Sequence, residues 1–353
     1  MTQDISQTEQ FAGQVVTDVA AAFAGVMTSL GHKLGLYKAM SGAGPLTSES
    51  LAAKTALTDR YVREWLNNQV AGGYVIYDPS TQQYELPDAH VPVLADEESP
   101  VFLIPALDVA ASLWFDEAKI QDAFKTGDGI AWADHNERLF CGCEALFKPG
   151  YKTSLIADWI GALDGVEEKL RAGGKIADIG CGHGASAILL AEAFSKTAVH
   201  GFDSHLRSIE TCRQRARAEG VRDNLHFDVA TSKNFPGTDY DLICYMDCLH
   251  DMGDPLGAAQ HAFNALKSGG SVLLVEPAAG DNIEDNINPI SRLYYAASTG
   301  VCTPCSRSQE VGMALGAQAG PKRLSELMAE AGFAETRIAA QTPFNIILEA
   351  RKA

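Results

Sequence analysis

Lys175-Ile-Ala-Asp-Ile-Gly-Cys-Gly-His-Gly-Ala-Ser-Ala-Ile-Leu-Leu-Ala191 is the stretch that decides how this chain of 353 residues folds. A short apolar run, 175–179, gives way to three glycines and then to an apolar helical segment, so it reads as strand, tight turn and helix. Gly180, Gly182 and Gly184 let the backbone turn sharply and approach a ligand where side chains would collide. Such a turn is a candidate nucleotide site. Through Ala185 the same string also satisfies a loose G-x-G-x-x-A pattern, so alone it leaves a dinucleotide and other adenosyl ligands open.

Three acids around the turn choose between them. Asp178, just before the first glycine, puts a carboxylate where a pyrophosphate would be repelled and an amino-acid ammonium group would be favoured. Asp203 ends a second strand, 199–203, and stands 25 residues after Asp178, where it can accept hydrogen bonds from both ribose hydroxyls. Asp228 follows a third strand, 225–227, placed to accept from an adenine amino group. Each acid alone could be a strand-end turn residue; the ordered set favours S-adenosylmethionine over NAD.

Asp-x-Gly-x-Gly-x-Gly, Asp203, Asp228 and the strands 240–247 and 271–276 together resemble the successive motifs of class I S-adenosylmethionine-dependent methyltransferases. That resemblance implies an α/β, Rossmann-like domain with seven strands in the order 3-2-1-4-5-7-6, the last pair antiparallel. Its final strands would be 335–340 and 345–351, after a helix over 322–331. It also implies S-adenosylmethionine as cofactor, leaving as S-adenosylhomocysteine. Tyr151, Ser204, Val229, Met246 and Asp247 would join Asp178, the three glycines, Asp203 and Asp228 in holding it. The whole chain resembles bacterial methyltransferases with an N-terminal winged helix, some labelled transcriptional regulators. Phe147 to Tyr151, Cys248 to Pro255 and Ser308 to Gly320 carry that likeness.

Methyl transfer from a sulfonium needs alignment above all. A phenol of pKa ~10 also needs a base near neutral pH, whereas a thiol of pKa ~8.5 is already partly ionised. His250, just beyond the fourth strand, is the candidate base, and Glu276 on the next strand would orient it, as in small-molecule O-methyltransferases of this layout. Met252 stands where that family has Trp, which removes a stacking surface. A structural histidine at a helix start is the competing reading. Trp132, Phe147, Asn288, Tyr294 and Tyr295 are candidate substrate contacts. The segment 282–320 reads either as a pocket wall or as a dimer contact.

The first half has a different grain. The segment 11–40 reads as one or two helices in a helical interface, with enough Ala and Val to be buried on most sides. Thr47 and Thr58 precede helices at 48–54 and 59–70, the second with Tyr61, Val62, Trp65, Leu66 and Val70 on one side. A hairpin follows, 74–77 and 84–86, across Asp78-Pro79-Ser80. Helix, turn, helix and hairpin make a winged helix. We divide the chain into 1–95, a winged-helix and dimerisation domain; 96–149, linking helices contributing to a substrate pocket; and 150–353, the cofactor domain.

A winged helix invites a DNA-binding reading, and charge argues against it. The chain carries 28 Lys+Arg against 45 Asp+Glu, a net of -17, and residues 1–98 hold 12 acids against 5 bases. Phosphate contacts need the opposite balance. The alternative function, a metabolite-sensing transcriptional regulator with a retained S-adenosylmethionine site, is disfavoured on the same ground. The polar N-terminus and apolar stretches interrupted by Asp18 and Asp108, and shorter than the ~18 residues a bilayer requires, read as a cytoplasmic protein with no membrane span. The eight cysteines read as free thiols, and Asp251 and Asp254 as helix-start acids, so no metal site is assigned.

Overall fold

The computed structural model describes residues 2–220 and 223–353. The chain divides into two compact units, residues 1–111 with 141–149, and 112–140 with 150–353. The linking helices read over 96–149 thus fall partly into each unit.

In the first unit a long helix, Thr2–Lys33, is followed by short helices Leu36–Met40 and Ser48–Thr55, then Asp59–Ala71 and an antiparallel hairpin of β1 (Ile76–Asp78) and β2 (Gln83–Glu85). The winged helix is there. Thr47 caps its helix by accepting from Ser50 N at 3.2 Å, whereas Thr58 makes no side-chain cap. Val62, Trp65, Leu66 and Gln69 form the buried stripe of Asp59–Ala71. Tyr61, expected on that stripe, is exposed. It sits one position, about 100° of helix, from Val62 and so misses the core of Leu36, Tyr37, Leu51 and Leu66.

The long helix departs most from expectation. Phe11, Val15, Val19, Phe23, Val26 and Leu30 are exposed, not buried, within this chain. Their spacing of three and four residues makes them one continuous stripe. Ser6–Lys33 is also long and apolar enough to cross a membrane by length and composition, so the short-stretch argument does not hold for it. Its last turns are packed in the folded unit: Trp65 Nε1 donates to Met27 O at 2.8 Å, and Lys33 pairs with Asp108 at 2.7 Å.

The second unit is built on a seven-stranded sheet, order β5-β4-β3-β6-β7-β9-β8, in which β3 is Lys175–Ile179, β4 Ala198–Asp203, β5 Leu225–Val229, β6 Tyr240–Met246, β7 Leu266–Pro277, β8 Glu335–Gln341 and β9 Asn345–Arg351. Counted from β3, this is the expected 3-2-1-4-5-7-6. β9 runs opposite to the other six strands, pairing antiparallel with both β7 and β8. Leu242, Ile243, Cys244 and Tyr245 of β6 are all fully buried, as a parallel strand covered on both faces requires. Because β3, β4, β5 and β6 run parallel, their carboxyl ends and following loops share one edge.

Candidate active site

The glycine turn follows β3 at that edge. Gly180, Gly182 and Gly184 have φ of +70°, +54° and +82°, left-handed values that strain any other residue. Gly184 is doubly constrained, since a Cβ there would lie 2.9 Å from Phe227. At Gly182 a Cβ would meet nothing within 4 Å, leaving open space above the turn.

Asp178 is completely buried beneath this turn. Its Oδ2 accepts from Ser186 Oγ at 2.6 Å, while its Oδ1 has no hydrogen-bond partner among the described residues. Burial is the largest influence on its pKa, with the Asp203 charge adding to it, and together they push it up to about 7 against the bond from Ser186. Holding that carboxylate ionised costs roughly 4 kcal/mol relative to water. A desolvated acid with one oxygen unpartnered fits a ligand ammonium group. The residues therefore fit S-adenosylmethionine on an observation independent of the motif.

Asp203 ends β4 with one oxygen accepting from Gly182 N at 3.0 Å and the other from His205 N at 2.8 Å. These bonds aim the carboxylate at the turn and leave lone pairs for ribose hydroxyls. Asp228 and Val229, on β5, are exposed at the same edge, and Arg213 already pairs with Asp228 Oδ1 at 3.1 Å. Ser204 is exposed beside Asp203. Met246 closes β6, and Asp247 beyond it has φ +50°. Asp247 accepts from Asn345 Nδ2 at 2.7 Å and, more weakly, from Tyr151 Oη at 3.4 Å. Burial and the Glu276 charge push its pKa up to about 8.

His250 is buried on the short turn Leu249–Asp251. Its Nδ1 is hydrogen-bonded to Glu276 Oε2, and the other Glu276 oxygen accepts from Leu249 N at 3.2 Å. His250 and Glu276 are in contact, brought together across 26 residues by β7 lying beside β6. Asp251 Oδ1 lies 3.2 Å from His250 Nε2. Burial works against charge on the ring, but the Glu276 and Asp251 carboxylates outweigh it and hold the imidazole well above its ordinary value.

The substrate candidates separate. Tyr294 is buried and its hydroxyl donates to Phe344 O at 2.8 Å, next to Asn345. Tyr295 is exposed on the same helix. Asn288 caps that helix, Pro289–Ala297, by accepting from Ser291 N at 2.9 Å, which accounts for it without a substrate. Trp132 packs 5.3 Å from Phe140, which stacks on His205, two residues beyond Asp203. Phe147 is half-buried in the stretch 141–149, which belongs to the first unit.

Three residues that sequence reasoning left unassigned also stand here. Asn345 bridges Asp247 and the Glu276 carbonyl. Gln309 ties down the loop after His250, accepting from Gly253 N at 3.0 Å and donating to Asp251 O at 3.0 Å. His135 is buried 3.4 Å from Asp116, and burial lowers its pKa despite the Asp116 and Asp251 charges. No local pattern marks them, because each partner is distant in the chain. Asp254, by contrast, is the helix cap expected of it, accepting from Gly257 N at 2.8 Å.

Comparison with known proteins agrees with this geometry. Residues 22–96 match the Rv2258c-like winged HTH domain, and residues 170–332 match a methyltransferase domain. The 27-O-demethylrifamycin SV methyltransferase of Amycolatopsis mediterranei is 33% identical over 107 residues, 30% of this chain and 39% of that protein. Methyltransferase GfsG of Streptomyces halstedii is 28% identical over 130 residues, 36% of this chain and 46% of that protein. The chain thus spans less than half the length of these relatives. In fold, it is similar to human N-acetylserotonin methyltransferase in complex with SAM, with a TM-score of 0.71 at 16% identity, covering 97% of this chain and 98% of that one. Glycine turn, ordered acids and strand order agree with both domain matches: the chain carries an Rv2258c-like winged HTH domain followed by a methyltransferase domain, and it is similar to S-adenosylmethionine-dependent methyltransferases of that layout.

Proposed function

We propose that this protein transfers a methyl group from S-adenosylmethionine to an oxygen or sulfur nucleophile of a small molecule, a phenolic hydroxyl or a small thiol. One observation carries the reading: the His250–Glu276 pair and the Asp178 carboxylate, one of whose oxygens has no partner, stand at the ends of adjacent strands, β6 and β3. The relative named for a 27-O-demethyl substrate supports oxygen as acceptor. A panel of phenols, catechols and thiols, scored by S-adenosylhomocysteine release, tests it. Tight NAD binding without any response to S-adenosylhomocysteine would sink it.

The cofactor, when bound, supplies an electrophilic methyl on a sulfonium. Asp178 would receive its ammonium group and Asp203 its ribose hydroxyls, with the glycine turn giving the backbone close approach. Asp228 and Val229 would flank the adenine, with Ser204 beside the ribose. Tyr151, Met246 and Asp247 would bound the sulfur side. His250 removes the acceptor's proton through Nε2, and Glu276 fixes the ring through Nδ1.

Because two carboxylates raise the His250 pKa, the resting ring carries a proton it must lose before it can accept another. The base form therefore grows as pH rises, and kcat/KM for a phenol should climb along a limb centred above ~6.5, the ordinary imidazole value. Asp251→Asn removes one of the two charges and should move that limb to lower pH. A limb at or below ~6.5, unmoved by the substitution, would show that Nε2 is not the titrating base.

The exposed stripe of the long helix supports a homodimer through the N-terminal helices, a second copy covering Phe11 to Leu30. Phe23→Asp should then convert a dimer to a monomer in light scattering; a wild-type monomer would discard the idea. On the winged helix both arginines are occupied, Arg60 by Glu64 and Arg63 by Asp59 and Glu49, which supports a structural rather than a DNA-reading role. None of the eight cysteines, all among the described residues, is in a disulfide, which supports a cytoplasmic location.

A further inference from the structure

Beside the catalytic pair lies a donor set that proton transfer alone does not use. Glu276 holds Nδ1 of His250, so Nε2 is the ring's remaining donor, and it meets Asp251 Oδ1 at 3.2 Å. A carboxylate oxygen offers only lone pairs, and so does an imidazole nitrogen that has given up its proton. Once the ring gives up its Nε2 proton the two atoms meet lone pair to lone pair, so either a proton or a bound cation has to stand between them. Asp251 Oδ1 is buried with two side chains, His250 and Cys302, as its near polar neighbours. Cys302 adds a third ligand type: one ligand atom each from His250, Asp251 and Cys302 all lie within 4.8 Å of one another. Cys302 reaches this place as the last residue of a π-helical turn, Ser298–Cys302, an irregularity frequent at functional sites.

We propose that His250 Nε2, Asp251 and Cys302 form a binding site for a thiophilic divalent cation of the Zn2+ class. The donor chemistry selects that class. Nitrogen, carboxylate and thiolate together suit zinc, whereas Mg2+ and Ca2+ take oxygen donors. Ligand atoms on a tetrahedral zinc stand roughly 3.3–3.8 Å apart, given bonds of ~2.0–2.3 Å. The imidazole and carboxylate, 3.2 Å apart, are already about that close, and the thiol, within 4.8 Å of both, needs a shift of at most about an ångström. Glu276 behind His250 is the carboxylate–histidine arrangement that orients a metal-bound ring. Three protein donors leave one coordination position open.

Binding releases the Cys302 thiol proton and any proton on His250 Nε2, so occupancy strengthens as pH rises. It also removes the lone pair that would take the acceptor's proton. The loaded site therefore switches base-dependent methyl transfer off, a consequence that rests on His250 being the base. The ligand set differs from the two cysteine pairs of the sequence, of which only Cys302 takes part.

The full-length protein, stripped with a chelator, is titrated with Zn2+ against a chromogenic competitor. One ion per chain is expected, with inhibition of phenol methylation over the same range. Co2+ in place of Zn2+ should produce a thiolate-to-metal charge-transfer band. Cys302→Ser should abolish that band and weaken Zn2+ binding at least ~10-fold, and Glu276→Gln should weaken it ~10- to 100-fold. Cys141→Ser, at an exposed thiol, should change neither. Absence of saturable binding to the wild type, or wild-type binding by Cys302→Ser, overturns the site. Methyl transfer by the stripped wild type, measured in parallel, reports separately on the base reading.

Discussion

Replacing His250 with Gln lowers turnover of a phenolic acceptor at least ~100-fold, while S-adenosylhomocysteine affinity stays within a few-fold of wild type. The size follows from the acceptor. A phenol of pKa ~10 is ionised to well under 1% near neutral pH, so without a base at Nε2 the reactive phenolate is scarce. Gln keeps a polar side chain at the position but cannot take the proton. Glu276→Gln should act in the same direction and less strongly, since Nδ1 loses a charged partner while Nε2 remains. The acceptor class is read out by the contrast: a thiol of pKa ~8.5 is already ionised to a few per cent and should lose much less. Unchanged phenol turnover would remove His250 from the chemistry and leave it a structural histidine at the head of its turn.

Asp178→Asn weakens cofactor binding by ~30-fold or more, the 2–5 kcal/mol range for breaking a buried, hydrogen-bonded charge pair. Asn keeps the volume and can still bond to Ser186, so the variant tests charge more than packing. A pH dependence should accompany it. Burial raises the Asp178 pKa to about 7 in the free protein, and an ammonium group pairs with the carboxylate form only. Below about pH 7 a proton must leave first, so wild-type affinity should fall as pH falls through 7 and level off above it. In Asp178→Asn that dependence should be gone. Calorimetry with S-adenosylhomocysteine at several pH values checks both; a flat wild-type profile together with wild-type affinity in the variant would displace Asp178 from the site.

Much of this was legible in the chain because it is local. The glycine turn, the acids at the ends of β4 and β5, the cap at Thr47 and the apolar runs of buried parallel strands are set within about twenty residues by turn chemistry and periodicity. The resemblance supplied the strand order, and the sheet has it. Position alone did not separate roles among the polar residues of the insertion. Asn288 is a cap and Tyr294 a buried strut, and both look the same as pocket residues until their partners are placed.

The sequence by itself determined the two architectures, the sheet edge where the glycine turn sits and the residue types gathered there. Only the tertiary structure decided what stands next to what. Asn345 meets Asp247 across 98 residues because β9 enters antiparallel beside β7, and Cys302 joins His250 and Asp251 through the intervening insertion. The long N-terminal helix shows the same limit. Its period places six apolar residues on one stripe, but a period cannot say whether the surface covering that stripe belongs to the same chain. Periodicity reports the face an element must hide; the packing of distant segments decides what hides it.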